Sequence, residues 1–506
     1  MTLIYLHPDD NVAVAKEPLP AGTALLEPCV LTITNPIETM HKVAVRHISK
    51  GDAIKKYGQF IGIATQEINA GEHVHTHNCA VGDFQRDYGF CENAKDTNYV
   101  AVNQRASFMG YRRANGNVGT RNYIAIITTV NCSATVARLI AGYFSHNPLM
   151  ENFENVHGIV PLIHTTGCGM SADTEGFQIL KRTLNGYAQH PNFAAVLTIG
   201  LGCETMQISR MLEGSDLKEN DLFRTFNIQT VDGTKKAIDA GIAIINEMLP
   251  VANTFQREPV DASELSIAVQ CGGSDGFSGI TANPALGVAA DLIVRQGGTA
   301  IYSETPEIYG AEHLMTQRAS TPEVAEKLPK HVRWWEDYTH KNGVELNNNP
   351  SPGNKAGGLT TILEKSLGAQ AKSGSTTLRG VYQYAERVTE KGLVFMDSPG
   401  FDPVSVTGQV ASGANIICFT TGRGSAFGQK PVPSIKLSSN TALYQRMSDD
   451  IDINCGGILD NEYTLEQCGQ TIFETILSIA SGQPSKSEEL GYGDNEFAPW
   501  QIGAVV

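Results

Sequence analysis

The sequence predicts an α/β protein, in which a small N-terminal β domain precedes a two-part α/β body with mostly parallel sheets. The chain has 506 residues, enough for about three domains. Its first part contains short apolar runs separated by glycines, a pattern typical of β structure. Further along, strand-like runs, glycine-rich turns and helical stretches alternate, which indicates parallel strands with helices on both faces of the sheet.

The N-terminal β domain is predicted over residues 1–80. Its predicted strands are 11–15, 42–45, 60–64 and 73–77. Residues 81–108 mix charged residues with Asn and Gln and show no clear periodicity, so we predict a linker there.

The α/β body is predicted as a middle domain, residues 109–255, and a C-terminal domain, residues 256–506. The polar segment 253–261 marks the boundary. The predicted strands of the body are 123–130, 157–163, 194–200, 265–270, 299–303, 392–396 and 415–420, and the predicted helices include 133–144, capped by Ser133, and 284–295. In open parallel sheets ligands bind beyond the carboxyl ends of the strands, so we expect the functional site there.

Composition excludes several classes of protein. Hydrophobic residues make up 41% and charged residues 18% of the chain, which indicates a globular and not a disordered protein. The net charge of −15 argues against a nucleic-acid partner, since phosphates would be repelled. Ten cysteines are too few for a disulfide scaffold. Fifty glycines exceed the usual share of about 7% and predict many tight turns or close backbone approaches.

The sequence shows neither a secretory signal nor a membrane-spanning segment. The first ten residues have no basic region, and their apolar run breaks at His7. The longest apolar stretches, such as residues 123–130, fall far short of the ~20 residues that span a bilayer. We therefore expect a cytoplasmic protein with no membrane partner.

Three alternating histidines form the first candidate site. His73, His75 and His77 would share one face of a strand, because side chains alternate with period two. Imidazole is a common ligand for iron, manganese, zinc and nickel. Two of the three are better placed than all three, since the outer pair lies ~13 Å apart along a strand. The alternative is a solvated polar strand face.

Four cysteines form a second candidate metal site. Cys132, Cys168, Cys203 and Cys271 each come just after a predicted strand, where ligands bind. Thiolates suit iron, zinc or an iron–sulfur cluster. The alternative is that these are small residues that pack at strand ends, and no CxxC pair supports a compact metal site.

Three glycine-rich polar loops predict a small anionic ligand. They cover residues 272–284, 349–358 and 420–425, and their backbone N–H groups can bind anions. Lys355 and Arg423 add positive charge. No ATP or dinucleotide fingerprint is present. The alternative is tight turns with exposed cations. The candidate substrate-binding residues are Arg423, Asn283, Ser274, Asp275 and Asn354.

Glu304 directly follows the predicted strand 299–303. A carboxylate at a strand end can act as a general acid or base, or as a metal ligand. For the neighbouring Glu307, helix capping is the simpler interpretation.

Eight motifs follow one another along the chain: HKVA (41–44), KYG (56–58), YRRANGNVGTRN (111–122), GLGCE (200–204), CGGSDG (271–276), TANP (281–284), NPSPGNK (349–355) and TGRG (421–424). In this order they resemble the altronate dehydratase and galactarate dehydratase family nearly end to end. Residues 73–78 and 304–312 resemble the altronate branch in particular, and the galactarate branch lacks the histidine series. Met40 departs from the family, which usually has glycine there.

The resemblance implies an SAF-like N-terminal domain and a dehydratase body that depends on Fe²⁺, with Mn²⁺ as a substitute. It also implies loss of water from D-altronate to give 2-dehydro-3-deoxy-D-gluconate, a step in hexuronate breakdown. The expected partners are the small sugar acid and further copies of the chain in a homo-oligomer. The alternatives are galactarate or another sugar acid as substrate, a related lyase that expels sulfite from sulfolactate, and a sugar-acid-binding protein without catalysis.

The residue roles that follow are hypotheses. His75 and His77, together with His73, would bind the metal or act as acid and base. Lys355 and Arg423 would hold the substrate, and Glu304 is a second candidate base. The four cysteines are the competing metal site, with an iron–sulfur cluster as the less favoured cofactor.

Overall fold

The N-terminal domain consists of short antiparallel strands in three small sheets. The computed structural model describes residues 2–25, 31–82, 84 and 86–505. The sheets have the orders β1-β2-β5-β8, β3-β4 and β6-β7-β9. The strands are β1 Leu3–Ile4, β2 Val12–Ala15, β3 Ala24–Leu25, β4 Leu31–Thr32, β5 Lys42–Ala44, β6 Ala53–Lys56, β7 Gln59–Ala64, β8 His73–Val74 and β9 Cys79–Ala80.

One predicted strand of this domain is much shorter than expected. The strand predicted at 73–77 ends at Val74. The amide of Asn78 explains the early end, because its oxygen accepts from the His75 backbone N–H at 2.9 Å and its nitrogen donates to the His73 carbonyl at 2.9 Å. These two bonds close a turn, so His75 and His77 do not continue the strand.

A small antiparallel sheet joins the two ends of the middle domain. Its order is β11-β10-β16, built from Val118–Gly119, Ser107–Arg112 and Glu258–Asp261. The predicted linker therefore ends in the strand β10, and the predicted boundary segment contains the strand β16. The 3₁₀ turn Val102–Gln104 precedes β10.

The middle domain is a parallel four-stranded sheet with the order β13-β12-β14-β15. Alternate residues of β12 face two different cores: Ile124 and Ile126 on one side, Ala125 and Ile127 on the other. Burial on both faces is what a parallel sheet covered by helices requires. The elements are β12 Tyr123–Thr128, α1 Ala134–Ser145, β13 Ile159–Leu162, α2 Glu175–Ala188, β14 Phe193–Gly200, α3 Ile208–Leu212, β15 Phe223–Asn227 and α4 Thr234–Ala252. Ser133 occupies the predicted cap position, but its hydroxyl donates to the carbonyls of Val130 and Ile199.

The C-terminal domain is a parallel seven-stranded sheet with the order β19-β20-β18-β17-β21-β22-β23. From β17 the chain adds strands first on one side, beginning with β18, and later on the other side, beginning with β21. The strand order therefore changes direction at β17, and ligands bind at such a position in open parallel sheets. The strands are β17 Ser266–Cys271, β18 Thr299–Tyr302, β19 Leu378–Tyr382, β20 Gly392–Met396, β21 Ile416–Thr421, β22 Ser434–Ser438 and β23 Ile453–Asn454. The helices are α5 Ala282–Arg295, α6 His313–Thr316, α7 Pro322–Lys341, α8 Pro352–Ala356, α9 Ile362–Gln370, α10 Asp402–Ala411, α11 Thr441–Arg446, α12 Leu465–Ala480 and α13 Lys486–Glu489.

The predicted fold class is confirmed: an antiparallel β domain precedes a body with two parallel sheets. Within the described part of the chain, no helix has the length and apolar character that crossing a membrane demands.

Candidate active site

The glycine-rich loops of the C-terminal domain meet at the carboxyl edge of its sheet. The Arg423 N–H donates to the Gly273 carbonyl at 2.9 Å and the Gly276 N–H donates to the Gly357 carbonyl at 2.7 Å, which joins the three loops. Asp275, which follows β17, adds contacts to the loop after β22. Its carboxylate accepts hydrogen bonds from Ser278, from Ser439 at 2.9 Å and from Asn440 at 3.0 Å. The loops after β17 and β22 are thereby held against each other.

The other predicted substrate-binding residues divide into internal and outward-facing groups. Asn283 donates to the Gly368 carbonyl at 2.9 Å and accepts from Thr420 at 2.6 Å. Asn354 donates to the Ser274 carbonyl at 2.8 Å. These contacts lie within the protein. Arg423 is exposed and Lys355 is half-buried, so these two cations face the space outside the loops.

Three histidines form a cluster on the N-terminal domain. His41 Nδ1 lies 3.0 Å from His73 Nε2, and the ring centroids of His41 and His75 are 4.8 Å apart. One nitrogen from each of the three lies within 4.8 Å of the others. His77 is exposed, with its ring 5.4 Å from that of His73, and is not part of this group. His41 was not predicted as a ligand, although it opens the HKVA motif.

The cluster is electrostatically suited to a metal ion. Burial lowers the pKa of His73 to about 4 and that of His75 to about 3, with further lowering from neighbouring cationic groups. Burial lowers the pKa of His41 too. All three rings are therefore neutral at pH 7, with lone pairs available.

Two contacts show which ring nitrogens are available. His41 Nε2 donates to the Ala356 carbonyl at 3.3 Å, which leaves Nδ1 as the nitrogen that faces His73. A backbone carbonyl in this position is the usual outer partner of a metal-binding histidine. The buried Nδ1 of His75 has no hydrogen-bond partner among the described residues. The nitrogen donors fit a divalent transition metal such as Fe²⁺ or Mn²⁺.

A second buried cluster lies at the ends of β17 and β18. Lys372 Nζ donates to Cys271 Sγ at 2.7 Å, and Lys365 Nζ donates to Glu307 Oε1 at 2.5 Å. Cys271 Sγ donates to Glu307 Oε2 at 3.4 Å. The Glu304 carboxylate lies 3.9 Å from Lys372 Nζ, and neither of its oxygens accepts a hydrogen bond from the described residues.

In the acid–lysine cluster, which comprises Cys271, Glu304, Glu307, Lys365 and Lys372, the two ammonium groups carry at least as much charge as the two carboxyl groups can offset. Burial alone would raise the pKa of Glu307, but the two ammonium groups outweigh burial and lower it. Burial and the negative charge of Glu307 raise the pKa of Glu304 well above its ordinary value. Cys271, Glu304 and Glu307 also bring three potential ligand atoms together. The ammonium groups would repel a cation there, so the histidine cluster fits a metal better.

Asp402 adds a group that sequence reasoning missed. It opens α10 after the loop that follows β20, and burial together with the charge of Glu307 raises its pKa to about 7. Its position shortly after the predicted strand 392–396, at the sheet edge where ligands bind, could have identified it as a candidate site residue.

The segment 349–358 contacts both clusters. At one end the Asn349 side chain donates to Glu307 at 3.0 Å and accepts from Lys365 at 2.7 Å. At the other end Ala356 accepts from His41. The acid–lysine cluster thus anchors the segment that carries Lys355 and that holds a histidine ring in place.

The four predicted cysteines do not all converge. Cys132, Cys168 and Cys203 are exposed and follow β12, β13 and β14 of the middle domain. Cys271 is buried at the end of β17, in a different sheet.

Comparisons with known proteins cover the whole chain. Residues 1–82 match the altronate/galactarate dehydratase SAF domain. Residues 110–253 match the second domain of D-galactarate dehydratase/altronate hydrolase, and residues 262–505 match the C-terminal part of D-galactarate/altronate dehydratase.

Full-length relatives agree with these matches. An altronate dehydratase of Bacillus subtilis is 36% identical over 509 residues, with 100% of each chain covered. An altronate dehydratase of Escherichia coli shows the same identity and coverage. A galactarate dehydratase (L-threo-forming) of Escherichia coli is 37% identical, over 99% of this chain and 97% of its own length.

Proposed function

The chain belongs to the altronate/galactarate dehydratase family, and on this premise we propose that it dehydrates D-altronate to 2-dehydro-3-deoxy-D-gluconate. It is a hydro-lyase of that family, acting on a sugar acid. The histidine cluster is the observation that favours D-altronate as the substrate. Two of its members, His73 and His75, lie in the segment 73–78 that resembles the altronate branch.

The difficult step of this reaction is removal of the C2 proton, which is barely acidic beside a carboxylate. A divalent cation bound to that carboxylate supplies Lewis acidity and stabilises the charge that develops on it. His41, His73 and His75 would hold this cation, which we propose is Fe²⁺ or Mn²⁺. Lys355 and Arg423 supply the positive charge that retains the sugar acid in a chain of net charge −15.

Proton transfer is assigned to His77. Its imidazole is exposed and lies beside His73, so a base stands next to the proposed metal site. Glu304, by contrast, is only 1% exposed. We therefore place Glu304 inside the buried acid–lysine cluster, and not in contact with substrate.

Galactarate is the second candidate substrate. The galactarate dehydratase of Escherichia coli is as similar to this chain as the altronate dehydratases are. The homo-oligomer expected from the sequence stays a prediction, as does the cytoplasmic location.

The proposal is tested by assaying the purified chain under anaerobic conditions with Fe²⁺ or Mn²⁺. D-altronate and galactarate are supplied in parallel, and the 2-keto acid is measured. We expect D-altronate to have the higher kcat/KM. We expect His75→Ala to lose bound metal and turnover, and His77→Gln to keep the metal while kcat falls by about 10²–10⁴-fold. His47→Gln, at an exposed histidine of the same domain, is the matched control and should behave like the wild type.

Other outcomes would contradict specific parts of the proposal. A higher kcat/KM for galactarate would reject the altronate assignment. Binding of sugar acids without any keto acid would indicate a binding protein. Normal turnover of His77→Gln would remove His77 from proton transfer.

A further inference from the structure

Within the described part of the chain, the exposed cysteines are concentrated at one place. Of the nine cysteines within the described residues, five are buried and Cys91 is half-buried. The remaining three, Cys132, Cys168 and Cys203, are exposed. Free cysteine is among the residue types most often buried, because it packs as a small apolar group. Three exposed thiols therefore need a reason other than packing.

All three lie at the carboxyl edge of the middle sheet. The strands β13, β12 and β14 are direct neighbours and run parallel. Cys132 follows β12, Cys168 follows β13 and Cys203 follows β14. This edge is where open α/β sheets bind their ligands.

The three cysteine loops are fixed to one another. The Asn131 N–H donates to the Thr166 carbonyl at 3.0 Å, which joins the loops of Cys132 and Cys168. The Met206 N–H donates to the Gly167 carbonyl at 3.0 Å, which joins the loops of Cys168 and Cys203. A Cβ atom at Gly167 would lie 2.2 Å from the Thr129 carbonyl, so only glycine permits this approach.

Glu204 fixes the third pair of loops. Its buried carboxylate accepts from Thr129 at 2.7 Å and from the backbone N–H groups of Leu201 and Gly202 at 3.1 and 2.6 Å. The carboxylate thus holds the Cys203 loop against the loop that leads to Cys132. The thiols stand on a preorganised frame, which a metal centre requires.

We propose that Cys132, Cys168 and Cys203 bind a [4Fe–4S] cluster. The groups of described residues whose donor atoms all lie within 4.8 Å are His41–His73–His75 and Cys271–Glu304–Glu307, and the three exposed cysteines are not among them. A single ion needs such close ligands, whereas a cluster places several irons between its thiolates. Each thiol would release its proton on binding iron.

Three protein ligands leave one iron of such a cluster without a thiolate. That iron suits oxygen ligands from a small molecule other than the sugar acid, which the histidine cluster is proposed to hold. A cleft of about 520 Å³ begins next to this part of the sheet edge and is lined by His164 and Thr165, which precede Cys168, and by Phe401 and Val404 of the C-terminal domain. A small ligand therefore has room beside the loop that carries Cys168.

The experiment measures iron and acid-labile sulfide in the full chain after anaerobic reconstitution with ferric iron, a thiol reductant and sulfide. We expect about four irons and four sulfides per chain, with broad visible absorption and an electron paramagnetic resonance signal after reduction. Cys132→Ser, Cys168→Ser and Cys203→Ser should each lose most of the sulfide and the signal. Cys91→Ser is the matched control and should retain both. Circular dichroism should show that all four variants are folded.

Three results would overturn this inference: iron without sulfide, sulfide retained in the three variants, or a disulfide between these cysteines after reconstitution. The inference can fail separately from the proposed function. A sulfide-free chain that dehydrates D-altronate rejects the cluster alone, and a loaded cluster in a chain that forms no keto acid rejects the dehydratase alone.

Discussion

At the scale of single residues, Met40 stands where the family usually has glycine, and its backbone conformation explains why glycine suits this position. Its backbone has a φ of +74°, in the left-handed region that favours glycine. Its carbonyl oxygen lies 2.3 Å from where a Cβ atom at Gly276 or Gly358 would sit. The turn that presents His41 is therefore packed tightly between two loops of the C-terminal domain, and the methionine there is strained.

Met40→Gly should be more stable than Met40→Ala by about 1 kcal/mol. Both variants lose the methionine side chain, so their difference isolates the strain of the left-handed backbone. Urea unfolding of the two variants under identical conditions measures it. Equal stability, or a more stable alanine variant, would show that the turn carries no strain.

At the scale of elements, α9 joins the N-terminal domain to the body through one buried carboxylate. Glu364 accepts from Lys42 of β5 at 2.8 Å and from Lys56 of β6 at 2.9 Å. It also accepts from the backbone N–H and the hydroxyl of Thr360. All three charged side chains are fully buried. The HKVA and KYG motifs therefore supply the ammonium groups that dock this domain.

Glu364→Gln should destabilise the protein by roughly 3–5 kcal/mol, because it leaves two ammonium groups buried without a negative partner. The free energy of unfolding in urea measures this loss. The control is Lys235→Ala, which breaks the exposed pair with Asp239 and should cost at most about 0.5 kcal/mol. A loss below about 1 kcal/mol for Glu364→Gln would mean that this network does not hold the domains together.

At the scale of the whole molecule, buried neutral histidines link stability to pH. His164 donates to the Thr128 carbonyl at 2.9 Å, and His190 donates to the Ala414 carbonyl at 2.9 Å. Burial lowers the pKa of both to about 4 from the ordinary 6.5. Between these values the unfolded chain binds protons that the folded chain does not. Stability contributed by these residues is therefore present at neutral pH and is lost as the pH falls.

We expect the stability of His190→Gln to depend less steeply on pH than that of the wild type between pH 6.5 and 4. The glutamine cannot titrate, and each such histidine accounts for up to roughly 3 kcal/mol across this window. Urea midpoints measured at several pH values test this, with the exposed His47→Gln as control. Parallel profiles for the wild type and His190→Gln would refute the role of His190.

The sequence by itself determined the fold class, the order of the strands along the chain and the sheet edge at which polar loops collect. These follow from local signals, since apolar period and glycine turns act over a few residues. It also carried the family motifs. The alternating pattern correctly predicts that His73 and His75 are neighbours. The strand predicted from it is too long, because the pattern does not include the turn that the Asn78 side chain closes.

Only the tertiary structure decided which of these groups meet. His41 joins His73 from 32 positions away, Lys372 reaches Cys271 across 101 positions, and Cys271 is separated from the other three cysteines by lying in another sheet. Burial and pairing set the charge of each group, and both depend on which distant segments pack together. Local sequence patterns do not predict which distant segments pack together.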